Sequence, residues 1–527
     1  IMGSAYKNGK LVIDPILHTY DDLIETLLAN GYIKDQTLFT FPYEWRDSNA
    51  LTANLLDGKI EEVKETCLVL NLPDINCKQV DLVAHSMGGL VARAYIQSGD
   101  YDQDVDQVIF LGVPHKGSQK SYLQWEAGRF SDTLFDNLME LFFEAESLRK
   151  GYLTIFDYIR LRPILSIQEL LPTFNYLKDN DTGIVRDYPN DYPRNFFLES
   201  LNNNITNLLN SGVEITNFVG NAGNNTIEKI RVVPSTREGL WQHGEPDGFY
   251  LGLGDHGLER SSGDNTVTPY SSNLDNSIPN IELVSEHQRI PTEAEANIFN
   301  ILTNKIASTT FDRNRGIDKK VLLLQLFSPI DFVITAPDGL KIGKNFLDGS
   351  EYNQIPNAFY SGYFTNDEYI TVLNPMDGEY KIELQSTGTG GEYGVLTSYI
   401  KDDFATTTGF QGVIGVGQIS NLEVEVDNNN PSNIEIISTD PITSSTLLNH
   451  INLINQWGWI LDEDTYEKLT DWAESIVRMD NKSKTKFVDK KLAKMLYDEL
   501  PKMLEKNKIN ISAYNLLKKD LEYLLTY

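Results

Sequence analysis

At 527 residues, 41% of them apolar, the chain is longer than one typical domain and can bury more than one core. Its net charge of −30 argues against nucleic acid as a partner and against simple electrostatic docking on anionic membranes. No apolar run approaches the roughly 18 residues of a transmembrane helix.

The chain opens Ile1-Met2-Gly3-Ser4-Ala5-Tyr6, without the pattern of a signal peptide. Residues 20–30 read as a helix, with Leu23, Ile24, Leu27 and Leu28 on one face and Gly31 ending it. Residues 37–42 read as a strand, followed by Tyr43-Glu44-Trp45-Arg46, and residues 51–70 as a second helix. The two cysteines, Cys67 and Cys77, either close a small disulfide loop or are separate buried thiols, and both readings stay open.

Residues 80–98 carry the most informative pattern. Val80, Leu82, Val83 and Ala84 form a short β-prone run suited to a buried parallel strand, and from Met87 onward Leu90, Val91 and Tyr95 recur at helical spacing. Ser86 sits at the junction, between small neighbours Ala84, Gly88 and Gly89 that a sharp strand-to-helix turn requires. This is the sequence form of a nucleophile elbow. The N–H of Met87, at the new helix start, is the natural first donor to an oxygen that becomes negative.

Residues 107–113 give the next strand, and strands alternating with helices of this length predict right-handed crossovers and a parallel sheet. From about 117 to 212 that rhythm gives way to amphipathic, aromatic-rich runs that include Tyr122, Trp125, Phe130, Phe142, Tyr152, Phe156 and Ile159. We read them as a helical cap inserted into the sheet domain, with some of the aromatics lining an apolar pocket above Ser86. The sheet resumes at 213–219, with 227–233 as a possible hairpin, 281–284 as a last strand and 294–306 as a last helix. Residues 307–320 read as a linker. Alternating β segments with Pro337-Asp338-Gly339 and Asp377-Gly378 turns then predict an Ig-like β-sandwich over 321–438, and helical periodicity marks 439–527. The sandwich is a candidate site for a surface partner.

A serine hydroxyl becomes a good nucleophile only beside a base that is itself oriented by an acid, and after an elbow the chain order is serine, acid, histidine. Of seven histidines, His287 follows the last strand and fits that order. His85 neighbours the serine, but strand alternation points it to the opposite face; His18, His115, His243, His256 and His450 fall in less suitable places. For the acid, Asp264 in Ser262-Gly263-Asp264-Asn265-Thr266-Val267 is preferred, with Asn265 and Thr266 as hydrogen-bonding partners and Asp255 as the fallback. Two weaker patterns carry little. Gly252-Leu253-Gly254-Asp255-His256-Gly257 opens no helix, which argues against a dinucleotide, and Asp100, Asp102, Asp104 and Asp106 lack the spacing of a calcium loop. No cofactor or metal is expected.

Ala84-His85-Ser86-Met87-Gly88-Gly89, Phe41-Pro42-Tyr43-Glu44-Trp45-Arg46, Leu111-Gly112-Val113-Pro114-His115-Lys116-Gly117 and Gly263-Asp264-Asn265-Thr266-Val267 together resemble the lecithin:cholesterol acyltransferase-like lipases of the α/β-hydrolase superfamily. The resemblance covers about residues 1–306. It implies an α/β-hydrolase domain with a Ser86–Asp264–His287 triad, a lipid-like ester as substrate, an acyl-enzyme on Ser86 and an extracellular or cell-surface location. It also implies a strand before residue 1, whose exit loop would give Ile1 or Met2 as the second oxyanion donor. Two departures stand out: the family's Pro-Gly is missing before this loop, and Ala84 replaces the first glycine of the elbow. The same resemblance accommodates an acyltransferase. A different reading is a non-catalytic adhesion protein with a vestigial hydrolase domain.

Overall fold

The computed structural model describes residues 4–71, 75–130, 134–161, 163–251, 254–312, 320–327, 329–364, 368–401, 404–480 and 485–526. They divide into two compact units, one formed essentially by residues before 320 and the other by those from 320 onward.

The first unit starts with a hairpin, β1 (Ser4–Lys7) and β2 (Lys10–Ile13), followed by α1 (Asp21–Ala29) and α2 (Asn49–Leu70). Ser48 caps α2 by accepting the N–H of Ala50. The elbow strand is β3 (Val80–His85), followed by α3 (Met87–Ile96) and β4 (Val105–Leu111). Helices α4 (Lys120–Ala127), α5 (Leu134–Arg149), α6 (Ile155–Leu161) and α7 (Leu165–Glu169), strand β5 (Leu177–Asp179), and helices α8 (Phe196–Asn203) and α9 (Ile205–Leu209) form the insertion. Then come β6 (Glu214–Gly220), β7 (Thr226–Val233), β8 (Glu245–Pro246), β9 (Leu258–Ser261), α10 (Pro269–Ser272), β10 (Asn280–Leu283) and α11 (Ile290–Thr303).

The parallel sheet has the order β10-β6-β4-β3. β4 alternates between two covered faces, as a parallel strand sandwiched by helices must. Val108 and Phe110 join Ala53, Leu56 and Ile60 of α2 and Leu90 and Val91 of α3 in one core. Ile109 and Leu111 join Leu23 and Leu27 of α1 and Ile290, Ala294 and Ile298 of α11 in the other. A parallel sheet covered by helices on both faces is the layering of an α/β domain.

Three expectations change here. β3 is only half-buried rather than fully buried, because among the described residues it is the edge strand of its sheet. Residues 37–42 make an isolated bridge, Lys34 with Leu38, instead of a strand. The N–H groups of Thr37 and Leu38 turn back to the Ile33 carbonyl, so a local turn uses the groups that a ladder would need. β7 does not extend the parallel sheet; it pairs with β5, β8 and β9 in a separate small sheet. Cys67, in the last turn of α2, and Cys77 form a disulfide, with Cα atoms 5.5 Å apart.

In the second unit, β11 (Lys320–Phe327), β12 (Ile330–Thr335), β13 (Lys341–Lys344), β14 (Glu351–Asn353), β15 (Ala358–Tyr360), β16 (Tyr369–Leu373), β17 (Gly378–Ser386), β18 (Gly391–Lys401), β19 (Phe404–Ile414), β20 (Ile419–Val426) and β21 (Ile436–Ser438) form two antiparallel sheets. Their orders are β15-β16-β11-β18-β19 and β14-β13-β12-β17-β20-β21. Leu322, Leu324 and Leu326 of the first sheet share a core with Phe332, Ile382 and Leu384 of the second. Helices α12 (Ser444–Gln456), α13 (Glu463–Asp480), α14 (Thr485–Lys494), α15 (Leu500–Glu505) and α16 (Ile511–Thr526) have their own core around Ile451, Leu469, Leu496 and Leu517. Lys519 of α16 lies 4.2 Å from the Phe410 ring of β19, so sheets and helices belong to one unit.

Candidate active site

The C-terminal ends of parallel strands are where a sheet of this kind presents side chains to a ligand. Ser86 stands there, between β3 and α3, with φ 54° and ψ −130°. A positive φ at a non-glycine residue is strained, and here it turns the hydroxyl out of the sheet. The Ser86 N–H is held by the Leu111 carbonyl at 3.0 Å, and its own carbonyl accepts Gly89 N–H at 3.0 Å. The two elbow glycines differ in what they are for. A Cβ at Gly89 would lie 2.2 Å from Val113 Cγ2, so helix and neighbouring strand end approach too closely for any side chain. At Gly88 the nearest neighbour would be Tyr43 Oη at an ordinary 3.9 Å, so crowding does not demand glycine there.

His287 opens a 3-10 turn just before α11, and Asp264 lies in the loop after β9. The structure brings them and Ser86 into one chain of hydrogen bonds. His287 Nε2 is 2.8 Å from Ser86 Oγ, and His287 Nδ1 is 2.7 Å from Asp264 Oδ2. A carboxylate only accepts, so Nδ1 carries the proton and Nε2 keeps the lone pair that accepts the serine O–H. Asp264 and His287 are 1% and 5% exposed, so the pair works out of bulk water. Asp264 Oδ1 is held by backbone N–H groups of Thr266 at 2.9 Å and Val267 at 2.6 Å. The expected Asn265 contact is absent from this carboxylate; the Asn265 N–H bonds Thr226 Oγ1 at 2.8 Å instead.

Two glycines unforeseen from the sequence make room for this pair. Gly112, at the end of β4 with φ +56°, would place a Cβ 3.2 Å from Asp264 Oδ2, 3.3 Å from His287 Nδ1 and 2.6 Å from Ile290 Cδ1. Gly220, at the end of β6, would place one 2.9 Å from Asp264 Cβ and 2.9 Å from the Ser285 carbonyl. Gly112 stands in the Leu-Gly-Val-Pro-His-Lys-Gly motif, but nothing in that string says what the glycine must avoid.

The other candidates are placed elsewhere. Asp255 is paired with Arg231 through two bonds of 2.6 and 2.8 Å. His18 bonds Asp21, His243 bonds Glu126 and His450 bonds Asp520. His115 is fully buried between Phe110 and Asn217, where burial and the nearby Arg93 guanidinium drive its pKa well below the usual range. Asp104 accepts Tyr95 O–H at 2.7 Å and Lys64 at 3.1 Å, which ties the aspartate-rich stretch to the fold. Met87 begins α3, which leaves its N–H among the donors without an intrahelical partner. Ile1 and Met2 lie outside the described residues, as do Gly252 and Leu253.

His85 requires a correction. It does not contact the Ser86 hydroxyl, but neither does it point away from the site: its ring centroid is 4.8 Å from that of His287.

A cavity of about 890 Å³ runs along the open edge of β3 to the elbow, where Tyr43, His85, Ser86 and Met87 line it. The cap aromatics are not part of its lining. Tyr122, Trp125, Phe130 and Ile159 are packed into the core of the unit, which departs from the pocket expected above Ser86. Among the described residues there is no group of His, Cys, Asp and Glu able to hold a metal, and no helix long and apolar enough to cross a membrane.

Residues 7–196 match the lecithin:cholesterol acyltransferase family model. Over 117 residues the chain is 33% identical to human (Homo sapiens) phosphatidylcholine-sterol acyltransferase, covering 21% of this chain and 24% of that protein. It is 29% identical over 104 residues to phospholipase A(1) LCAT3 of Arabidopsis thaliana, covering 19% and 22%. The matched stretch thus spans about a quarter of these relatives' length. Among solved structures, the Bacillus licheniformis lipase BlEst2 in its propeptide form aligns over 82% of this chain and 94% of that one, at 13% identity and a TM-score of 0.29. The Tle4–Tli4 complex aligns over 54% and 78%, at 16% identity and a TM-score of 0.33. The resemblance to lecithin:cholesterol acyltransferase-like lipases is carried by the 7–196 stretch, which includes the elbow and Ser86.

Proposed function

We infer that this lecithin:cholesterol acyltransferase-like chain is a serine hydrolase that cleaves carboxylic esters of lipid-like substrates through an acyl-enzyme on Ser86. The observation that carries the reading is the unbroken relay Ser86–His287–Asp264, at 2.8 and 2.7 Å.

In this reading His287 Nε2 takes the Ser86 proton as Oγ attacks the ester carbonyl, and Asp264 stabilises the imidazolium that forms. The carbonyl oxygen becomes negative, and the Met87 N–H at the start of α3 donates to it; one such donor is worth about 3–4 kcal/mol of transition-state stabilisation. His287 then gives its proton to the leaving alcohol. Water, activated by the same imidazole, releases the acid and restores Ser86. Transfer of the acyl group to an alcohol acceptor differs only in this last step. The family match and the names of the relatives, one an acyltransferase and one a phospholipase, favour keeping that second outcome in view. An oxidising, extracellular or cell-surface setting is part of the same reading, supported by the Cys67–Cys77 disulfide.

The test is labelling with a fluorophosphonate ester followed by peptide mapping. The label is expected on the peptide containing Ser86, with loss of both label and short-chain ester hydrolysis in Ser86→Ala. A Ser86→Ala protein that hydrolyses esters at the wild-type rate overturns the assignment. Product analysis with and without an added long-chain alcohol decides between hydrolysis and transfer.

A further inference from the structure

His85 precedes the candidate nucleophile, yet its side chain serves another residue. Its Nε2 lies 2.9 Å from the backbone carbonyl of His287, and its Nδ1 lies 3.1 Å from Tyr20 Oη. A carbonyl oxygen can only accept, so Nε2 carries the proton, and Nδ1 is left as an acceptor for the tyrosine O–H. Both bonds require the neutral ring. Its surroundings favour that form: burial, together with the neighbouring His287, drives the His85 pKa well below the usual histidine range. Burial also raises the Tyr20 phenol far above its ordinary range, so the tyrosine keeps the proton that it donates.

The Tyr20 end of this chain is itself fixed. Asp14 is 3% exposed and accepts the N–H groups of Leu17 at 3.1 Å and Thr19 at 2.7 Å, which clamps the loop leading into α1. From that loop Thr19 Oγ1 donates to the side-chain carbonyl of Gln288 at 3.1 Å. Two adjacent residues of the 14–20 loop therefore hold two adjacent residues of the histidine turn, one directly and one through His85.

We propose that His85 is a positioning residue, a neutral strut that carries the Tyr20 loop's hold to the His287 carbonyl and fixes the catalytic imidazole between Ser86 and Asp264. This rests on the reading of Ser86–His287–Asp264 as a triad. The hydrogen bonds of His85 go to Tyr20 and to the His287 carbonyl, not to Ser86 Oγ. Asp264 alone holds the far side of the His287 ring, and it also accepts the His287 backbone N–H through its own carbonyl at 2.8 Å. The backbone carbonyl of His287 is held from the β3 side by His85. Without it the His287 carbonyl loses that hold and the ring can shift relative to Oγ, and a displacement of about 1 Å is enough to cost on the order of 100-fold in rate.

The experiment compares His85→Leu, His85→Gln and Tyr20→Phe with the wild-type full chain and with Ser86→Ala. A short-chain p-nitrophenyl ester is the substrate. The readouts are kcat and KM separately, the melting temperature, and the far-downfield proton resonance of the His287–Asp264 hydrogen bond. His85→Leu is expected to lower kcat about 10- to 100-fold with KM within about twofold, and to broaden or lose the downfield resonance. His85→Gln places an amide N–H near the same carbonyl and is expected to recover most of the rate and the resonance. Tyr20→Phe frees the tautomer and is expected to fall between the two. Wild-type kcat in His85→Leu, alongside an inactive Ser86→Ala, overturns the strut and leaves the triad reading standing. An active Ser86→Ala overturns the triad reading and the strut with it. A lowered melting temperature with kcat and KM both impaired, and no recovery in His85→Gln, also overturns the strut, because it marks plain loss of packing.

Discussion

His287 is bound to Asp264 twice, once through the imidazole Nδ1 at 2.7 Å and once through its backbone N–H, which donates to the Asp264 carbonyl at 2.8 Å. The second bond joins backbone atoms alone, so it ties the two loops together whatever the side chains do. A change confined to the carboxylate therefore separates chemistry from architecture.

Asp264→Asn makes that separation. The amide oxygen can still accept the N–H groups of Thr266 and Val267, which keeps the loop in place. Its NH₂ then faces His287 Nδ1, which must become an acceptor, and the proton moves to Nε2, where it can no longer receive the Ser86 O–H. The expected loss in kcat is about 10⁴-fold, with little change in melting temperature. Steady-state kinetics alongside a thermal melt checks both halves. A variant within tenfold of the wild-type kcat removes Asp264 from the proposed machinery.

Glycines at the strand ends give a second, steric prediction. Gly112→Ala would set a methyl group 2.6 Å from Ile290 Cδ1 and 3.2–3.3 Å from the facing atoms of Asp264 and His287, on a backbone with φ +56°. We expect a destabilisation of about 1–3 kcal/mol together with a fall in kcat, since the relief available is to push the acid–imidazole pair outward. Gly88→Ala, which meets only Tyr43 Oη at 3.9 Å, is expected to keep or raise the melting temperature by the ordinary helix preference for alanine. Denaturant melts of the two variants make the comparison. Equal destabilisation by both would mean that the close approaches described at Gly112 do not decide the packing.

Gly112 and Gly220, the glycines that face Asp264, also mark where sequence reading stops. The elbow was legible because its steric demand is written into adjacent residues: a β-prone run, Ser86, and Gly88 and Gly89 within three positions. Asp264 and His287 were legible from chain order and turn chemistry, even though they join only in three dimensions. The spaces that Gly112 and Gly220 leave are filled by residues far along the chain, so no local pattern reports them. His85 was misplaced for a related reason. Alternation tells which face a strand residue leaves from, but at the last position of β3, beside the turned backbone of Ser86, the ring reaches around to a loop some 200 residues on. The strand expected at 37–42 fails at its start, where the N–H groups of Thr37 and Leu38 are spent in a turn, which hydrophobic alternation does not register.

The disulfide supplies a prediction about stability alone. Cys67 and Cys77 are ten positions apart, and linking so short a loop stabilises the folded state by about 3 kcal/mol through the entropy removed from the unfolded chain. The double variant Cys67→Ser/Cys77→Ser is expected to lose about that much in denaturant melts of the first unit's transition. Activity of the folded protein should be retained, because neither cysteine bonds a residue of the Ser86–His287–Asp264 relay. Equal stability of the variant and the wild type would show that the loop is already ordered without the bond.

The second unit carries a pH dependence of its own, centred on Glu368. This carboxyl is 3% exposed and accepts the Tyr360 O–H at 2.9 Å. Burial, and then the hydrogen bond and negative charge of Asp331, push its pKa up to about 9. Asp331 in turn is paired with Lys344, so the proton shared by the two carboxyls sits on Glu368. The folded pKa lies above the unfolded one, so the folded chain holds this proton more tightly. The stabilisation from that tighter hold is complete below the unfolded pKa, near 4.5, and is lost as pH rises toward 9. Over that window this one group should lower the stability of the unit by at most about 1.4 kcal/mol per pH unit. Glu368→Gln keeps the shape and a donor toward Asp331 but cannot ionise, so its stability relative to the wild type should climb steadily from pH 5 to pH 9. Calorimetric melts of both full-length proteins across that range measure the difference. A difference that does not vary with pH would mean that Glu368 is ionised in the fold at neutral pH, and that Lys344 compensates both carboxylates at once.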